Sequence, residues 1–507
     1  MAWPNPFRRR TADTRTCWGY TFDLTPDHLT PEQAHPLKHS YDVLGEDALD
    51  ALNELFPPPT TGTTFHPQND KPQDVPSTVP DRKSTEGHTG EPPSPTNKPK
   101  PKRDLYDLLK NNHHRDPRLT ALWTQVNTVP PWVDWAQIAR GQDVFYRYGG
   151  ATLTGLAYQS LLGGMGANRV VEVLARTGGF GVNVARHRLF ETTQHILQCT
   201  RSLESIQPGG EGFASSIRVR LLHASVRQRI LKLTKTRPSY YDVQKYGIPI
   251  NDLDSIATIG TFSGTIIWLS LPRQGIFLRQ QEIEDYIALW RLIAHYIGTP
   301  TSYFSTPARA KSMMESLLMN EINPSQTSQT LANNIIRALE NQPPAYASRS
   351  FLEANARWLN GSELCDALGL GRPSTYHTCL VAGQCILFMF ICYLNRSIDY
   401  LDKRKVANLK RIFWQLIVES KFGLKGEETS FEFKYVPMFD TVTYKGEHEE
   451  MRDGAVSGVE RTNLRAFVLG IMGMGVMAFV GVRCGIAVVG GVWRVGRHGV
   501  GLARGLV

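Results

Sequence analysis

Between Leu105 and Asp440 the apolar residues recur at helical spacing in one segment after another, while the strict alternation of a half-buried strand is scarce. The segments are Trp135 to Tyr148, Leu153 to Leu162, Asn168 to Leu174, Val182 to Leu197, Ser216 to Leu233, Asp252 to Leu271, Gln280 to Ile297 and Met313 to Leu318. Gly163-Gly164, Gly178-Gly179, Pro208-Gly209-Gly210 and Gly247 to Asn251 punctuate them, which implies short connections. A mainly α fold, a bundle of helices over residues 104–440, is predicted. One strand is read at Glu432 to Val436.

The flanks differ in composition. Residues 1–56 form an arm that packs on the core, with a strand at Tyr20 to Leu24 and an amphipathic helix at Ser40 to Leu55. From 57 to 103 the chain turns to Pro, Thr, Ser, Lys and Asp and has almost no aliphatic residues, so it reads as a disordered insertion. A linker at 441–465 leads to an apolar tail at 466–493. Its stretch Ala466 to Val482 is uncharged and nearly long enough to cross a bilayer, with Arg461 and Arg465 before it and Arg483 after. The tail is expected to be transmembrane or membrane-associated. Cys385 to Leu394, too short to span, is read as part of a buried core helix.

The net charge of +9 is not gathered into one stripe, and no nucleic-acid recognition module is present, so no nucleic-acid partner is expected. Seven irregularly spaced cysteines without a CxxC pair argue against a disulfide framework, a zinc site or an iron–sulfur cluster. Arg8-Arg9-Arg10 and the polar residues after it lack the apolar stretch of a secretory signal, which points to a cytosolic start. The loops Gly163 to Gly166 and Gly178 to Gly181 invite a phosphate-binding reading, but no GK[ST] follows either. HExxH and GxSxG are absent.

Two helical segments carry polar groups at positions that share a face. In Arg218 to Arg227 a single histidine, His223, sits among Leu221, Leu222, Ala224 and Val226. It is either a core histidine satisfied by a carbonyl or the axial ligand of a haem iron. The flanking Arg218, Arg220 and Arg227 pair with propionates or carboxylates, or stay solvated. In the upstream segment Arg188, Glu191, Thr192 and His195 fall at i, i+3, i+4 and i+7. That face is either a surface ion pair or a cation and hydroxyl turned to the open side of the haem. Glu172 is either a general base or the partner of Arg169 or Arg176.

Taken in order, Val129-Pro-Pro-Trp-Val-Asp-Trp135, Arg140 to Tyr148, Gly155 to Gly163, Glu172 to Phe180, Arg188-Leu-Phe-Glu-Thr192, Arg218 to Arg227 and Gly247 to Leu253 resemble the family of fungal endoplasmic-reticulum-bound oxygenases and latex-clearing rubber oxygenases. The resemblance implies an all-helical, globin-reminiscent domain around a b-type haem that cleaves isoprenoid double bonds with dioxygen. It implies His223 as proximal ligand, Arg188 and Thr192 as distal residues, and Glu172 as the catalytic glutamate. Glu191 stands where some rubber oxygenases have a lysine that can ligate iron, so that ligation is not implied here. A later histidine of the bacterial proteins has no match near Ala257 and Thr258.

The expectation is a haem-dependent oxygenase acting on the C=C bond of a lipophilic, prenylated type of substrate with dioxygen. It would be bound to the endoplasmic reticulum membrane with its catalytic domain in the cytosol. The alternative is a non-catalytic, membrane-associated helical protein that binds haem or lipid. A weaker one makes the distal helix a nucleotide site.

Overall fold

The computed structural model describes residues 9–58, 103–178, 180–427 and 458–503, without the side chains of 183 and 481–503. The strand read at Glu432 to Val436, the linker at 441–457 and all but the ends of the insertion lie outside the described residues. The architecture is all-α apart from one N-terminal hairpin, β1 (Thr14–Cys17) paired antiparallel with β2 (Tyr20–Asp23). The hairpin turn is Trp18-Gly19, both at positive φ, the geometry of a two-residue type I′ turn.

After α1 (Val43–Leu55) the main helices are α2 (Leu105–Asn112), α3 (Pro117–Asn127), α4 (Trp135–Arg147) and α5 (Gly149–Gly155), which runs into a π turn at Leu156–Leu162. Then come α6 (Asn168–Arg176), α7 (Val182–Thr200), α8 (Glu211–Thr236), α9 (Asp252–Phe262) and a second π turn at Ile266–Ser270. The series continues with α10 (Gln280–Ile297), α11 (Pro307–Asn320), α12 (Gln326–Leu339), α13 (Arg349–Asn360), α14 (Thr375–Arg396), α15 (Asp399–Trp414) and α16 (Gly458–Ala503). Several starts are fixed by a side-chain cap. Asp104 accepts from Tyr106, Asp134 from Ala136, and Asn251 from Asp254, each satisfying an otherwise orphaned amide.

The single helix predicted from Asp252 to Leu271 is two. The chain bends by 41° between Phe262 and Ile266. Ser263 leaves helical geometry, its hydroxyl bonds back to the Ile259 carbonyl, and Gly264 follows, a local competition with the helix ladder.

The main core gathers α4, α7, α8, α9 and α10 around Phe145, Ile217, Leu221, Leu289, Trp290 and Ile293. α8 carries its arginines into this interior. Arg218 pairs with Asp104 at 2.8 Å, Arg220 bidentately with Asp42 at 2.6 and 2.7 Å, and Arg227 with Glu46 at 2.9 Å. Arg220 and Arg227 are only 3% and 2% exposed. Of the readings open for these arginines, the carboxylate partners are the ones observed. Asp42 caps α1, and Glu46 lies on its first turn, so the arm is held to the core by charge as well as by Ala48, Leu49 and Leu52.

The run Cys385 to Leu394 lies in α14, with Cys385 and Cys392 buried, but its other face is open, with Phe390 65% exposed and Ile391 and Leu394 exposed beside it. Within a helix of 22 residues the run is long and apolar enough to cross a membrane, as is Gly458–Val480 of α16. The expectation of a wholly buried core helix is therefore corrected. The ten-residue run extends through Thr375 to Arg396, and only part of its surface has a protein neighbour. Gly383 approaches the backbone of Asn463, and Gly470 meets Ile386, so α16 starts alongside α14 and runs in the same direction. Beyond that point Leu469, Met474, Met477 and Phe479 are exposed.

Replacing Arg220 by alanine strands the Asp42 carboxylate in the interior. The expected cost is about 3–5 kcal/mol of unfolding free energy. Denaturant titration, together with protease sensitivity that appears first around residues 40–56, checks this. An unchanged midpoint would remove the pair from the fold's supports.

Candidate functional site

α7 and α8 are antiparallel neighbours, and their register follows from side-chain contacts. The Cys199 thiol meets the Gly212 carbonyl at 3.7 Å and the Ser216 hydroxyl at 3.6 Å, and His195 Nδ1 lies 2.9 Å from Ser215 Oγ. Gly212 is needed there, because a Cβ would collide with the backbone of Gln198 and Cys199. At 1.5 Å per residue, carrying this register two turns along places Thr192 opposite Val219 and Arg188 opposite His223. The two polar segments singled out in the sequence thus face one another at one level of the bundle.

Packing loosens along the pair. Ser215, Ser216, Gln194 and His195 are buried where the helices touch. Farther on, Val219, Leu222, His223 and Val226 keep part of their surface, and these positions form one face of α8. Across from them Thr192 is exposed. The helices are close-packed at Gly212, and farther along α8 the apolar Val219, Leu222 and Val226 flank His223 on a face that is only partly covered.

His223 lies deep in the protein, and burial pushes its ring pKa down to about 4, with nearby Arg227 lowering it further. The imidazole is therefore neutral at physiological pH and keeps a lone pair. Among the described residues its ring makes no hydrogen bond or ion pair, unlike the core histidine satisfied by a carbonyl. His195, also pushed down to about 4 by burial and by the proximity of His223, stands one turn from Thr192. The i+7 spacing from Arg188 had placed His195 on the right face, but nothing in the sequence disclosed that it would neighbour His223.

Arg188 is held by Glu191, Nη1 to Oε2 at 2.9 Å, and His187 reaches the other oxygen of Glu191 at 3.5 Å. Glu191 is buried, so the pair is internal and not on the surface. Glu172 is bound by Arg176, Nη1 to Oε2 at 2.7 Å, the partner choice left open by the sequence; Arg169 goes instead to Asp254 and Glu321. Arg176 in turn lies over the rings of Tyr240 and Tyr241. Val173 of α6 packs with Ile230 and Val226 of α8, which brings the Glu172 helix to the His223 helix. Gly163 to Gly166 forms a one-turn 3-10 segment packed against Asn360 and Ile322, not a loop opening a helix toward a phosphate.

A haem suits this donor set. It needs one neutral imidazole and apolar neighbours, and His223 beside Val219, Leu222 and Val226 offers both. No group of three or more His, Cys, Asp or Glu that would hold a bare metal ion occurs among the described residues.

Residues 146–388 match the model for the catalytic domain described as ER-bound oxygenase mpaB/B'/Rubber oxygenase. A rubber oxygenase of a Streptomyces species is 21% identical over 275 residues, 52% of this chain and 63% of that protein. An aurantioclavine synthase of Penicillium expansum is 64% identical over 33 residues, 6% of this chain and 7% of that protein. The chain thus spans less than two thirds of either curated relative. A solved structure of latex clearing protein in the closed state superposes with a TM-score of 0.47 at 17% identity, covering 58% of this chain and 79% of that one. Every site residue named above on α6, α7 and α8 falls inside the matched span, and over that span, just under half of its length, the chain is similar to the catalytic domain of ER-bound oxygenases and rubber oxygenases.

Proposed function

We propose that this protein is a haem-dependent oxygenase that oxidises or cleaves a C=C bond of a lipophilic, prenylated type of substrate with dioxygen. The observation that carries the reading is His223, a neutral imidazole with no hydrogen bond among the described residues, set on the partly covered apolar face of Val219, Leu222 and Val226 inside the family-matched region. A haem b bound there supplies the iron that activates dioxygen.

The chain's own residues then have separable tasks. Glu191 holds the Arg188 guanidinium on the α7 face that the helix register sets toward His223, and there its remaining N–H groups would donate to dioxygen. Thr192 adds a hydroxyl donor one turn away. Glu172 keeps Oε2 on Arg176, leaving Oε1 as the atom that takes a proton from substrate. The apolar face beside His223 excludes water and accepts an alkene. Exposed apolar side chains along Val468 to Val480 support membrane attachment, and the words ER-bound in the family description support the endoplasmic reticulum as that membrane, with the catalytic domain placed on its cytosolic side as part of the proposal.

Purified full-length protein is expected to show a near-stoichiometric Soret band with a haem b pyridine haemochrome, lost in His223→Ala and restored there by added imidazole. Oxygen uptake with a prenylated alkene separates an oxygenase from a carrier, which would bind without turnover. Well-folded wild type that takes up no haem on reconstitution would sink the reading.

Arg188→Ala should retain haem and lower kcat by about 10²–10³. Glu172→Gln should slow turnover at full haem occupancy; unchanged turnover would leave Glu172 a purely structural partner of Arg176.

Proton linkage gives an independent check. Both histidines titrate near 4 when folded against an ordinary value of 6.5, so between those pH values the unfolded chain binds more protons. Stability of the haem-free protein should be full above pH 6.5 and fall as pH drops toward 4, by up to roughly 1.4 kcal/mol per pH unit for each histidine. His223→Leu should flatten that slope in urea titrations; an identical slope would mean the ring is not buried neutral.

A further inference from the structure

Away from the α7/α8 pair, the two π turns face a cavity of about 70 Å³. Gln159 from the first π turn, Leu269 from the second, Thr261, Thr265, Arg273, Asn360 and the hairpin residue Trp18 contribute to its wall. No residue of α7 or α8 lines it. Single-turn π segments concentrate where a helix is reshaped for a ligand, and here two of them converge.

Arg273 is the unusual member. Its side chain is buried, the residue being 6% exposed, yet among the described residues it forms no salt bridge. Nη1 donates to the carbonyl of Leu359 and Nη2 to that of Trp18 at 3.2 Å, while Nε has no partner. The ionisable groups near enough to favour its charge are the Tyr20 phenol and the Cys365 thiol, and burial pushes the thiol up to about 12, so no carboxylate is among them and the thiol carries no charge. Leu359 lies at the C-terminus of α13, whose carbonyls offer about half a negative charge. The rest of the guanidinium charge is uncompensated in the interior. A water could occupy Nε but brings no charge.

The neutral wall is equally incomplete. Neither end of the Gln159 amide makes a hydrogen bond, and the amide can present its NH₂ to the cavity by a half turn. The Thr265 hydroxyl makes none either among the described residues. No carboxylate lines the cavity.

We propose that this cavity binds a small monovalent anion, a halide or a one- or two-carbon carboxylate, against Arg273, with Thr265 and Gln159 as neutral donors. The volume admits such an ion; a water molecule occupies about 30 Å³ in the liquid. The anion completes the charge balance of the interior and ties the Trp18 hairpin, the end of α13 and both π turns together. This site is independent of the haem reading.

The test is thermal unfolding of the full chain at constant ionic strength, with gluconate replaced stepwise by chloride, bromide or formate. A saturable rise in Tm of several degrees is expected, with the ion that saturates at the lowest concentration identifying the occupant. Arg273→Gln should abolish the response. If that variant does not fold, Gln159→Leu and Thr265→Val should each raise the half-saturating concentration about tenfold. Bromide-soaked crystals should show anomalous density beside Arg273. A Tm that follows ionic strength alone, an equal response in wild type and variants, or a cavity without bromide would each overturn the proposal.

Discussion

A central helix that carries arginines into a protein interior obliges the chain to bring carboxylates to meet them. α8 does this at Arg220 and Arg227, and the acids come from α1, more than 170 residues earlier in the sequence. Leaving a buried guanidinium unpaired costs several kcal/mol, so docking of the N-terminal helix is a condition for α8 to occupy the core. The position of α8 in turn decides where His223 lies. Docking of α1 is therefore part of what places the helix that carries the imidazole.

The sequence disclosed these relations unevenly. Periodicity located α4, α7 and α10 to within a few residues, because each begins beside a cap or a glycine and keeps its apolar residues at helical spacing. It foresaw less of α12, α13 and α14, whose apolar positions are interrupted by buried Asn334, Asn355 and Gln384, polar groups that make sense only once their partners are in place. The bend after Phe262 depends on a serine hydroxyl choosing a carbonyl, an event too local for any periodic signal.

The candidate site divides in the same way. Residue type and spacing selected His223, Arg188, Thr192 and Glu172, and the resemblance supplied their roles. Which arginine holds Glu172, and whether the α8 arginines turn to a ligand or to protein acids, were decided by tertiary contacts. Spacing put His195 on the same face as Arg188, but its closeness to His223 emerged only through the register of α7 on α8, which rests on Gly212 and Cys199. The shared principle is that a periodic pattern reports which face of a helix is used, whereas the partner is a property of the assembled bundle.

The start of α16 is the other feature with reach. Glu460 accepts the amide of Ser348, and Asn463 joins the Gln384–Asn355 chain, so the helix leaves the domain from a buried polar socket with no slack at its root. A helix rooted so firmly acts as a rigid mast and not as a leash. Any apolar phase that receives Leu469 to Val480 fixes the tilt of the whole domain, and because α14 runs beside the mast, it also meets the side of the molecule bearing Phe390 and Leu394. Orientation at the boundary is thereby written into the joint between two helices, leaving the domain little freedom to rotate about its anchor.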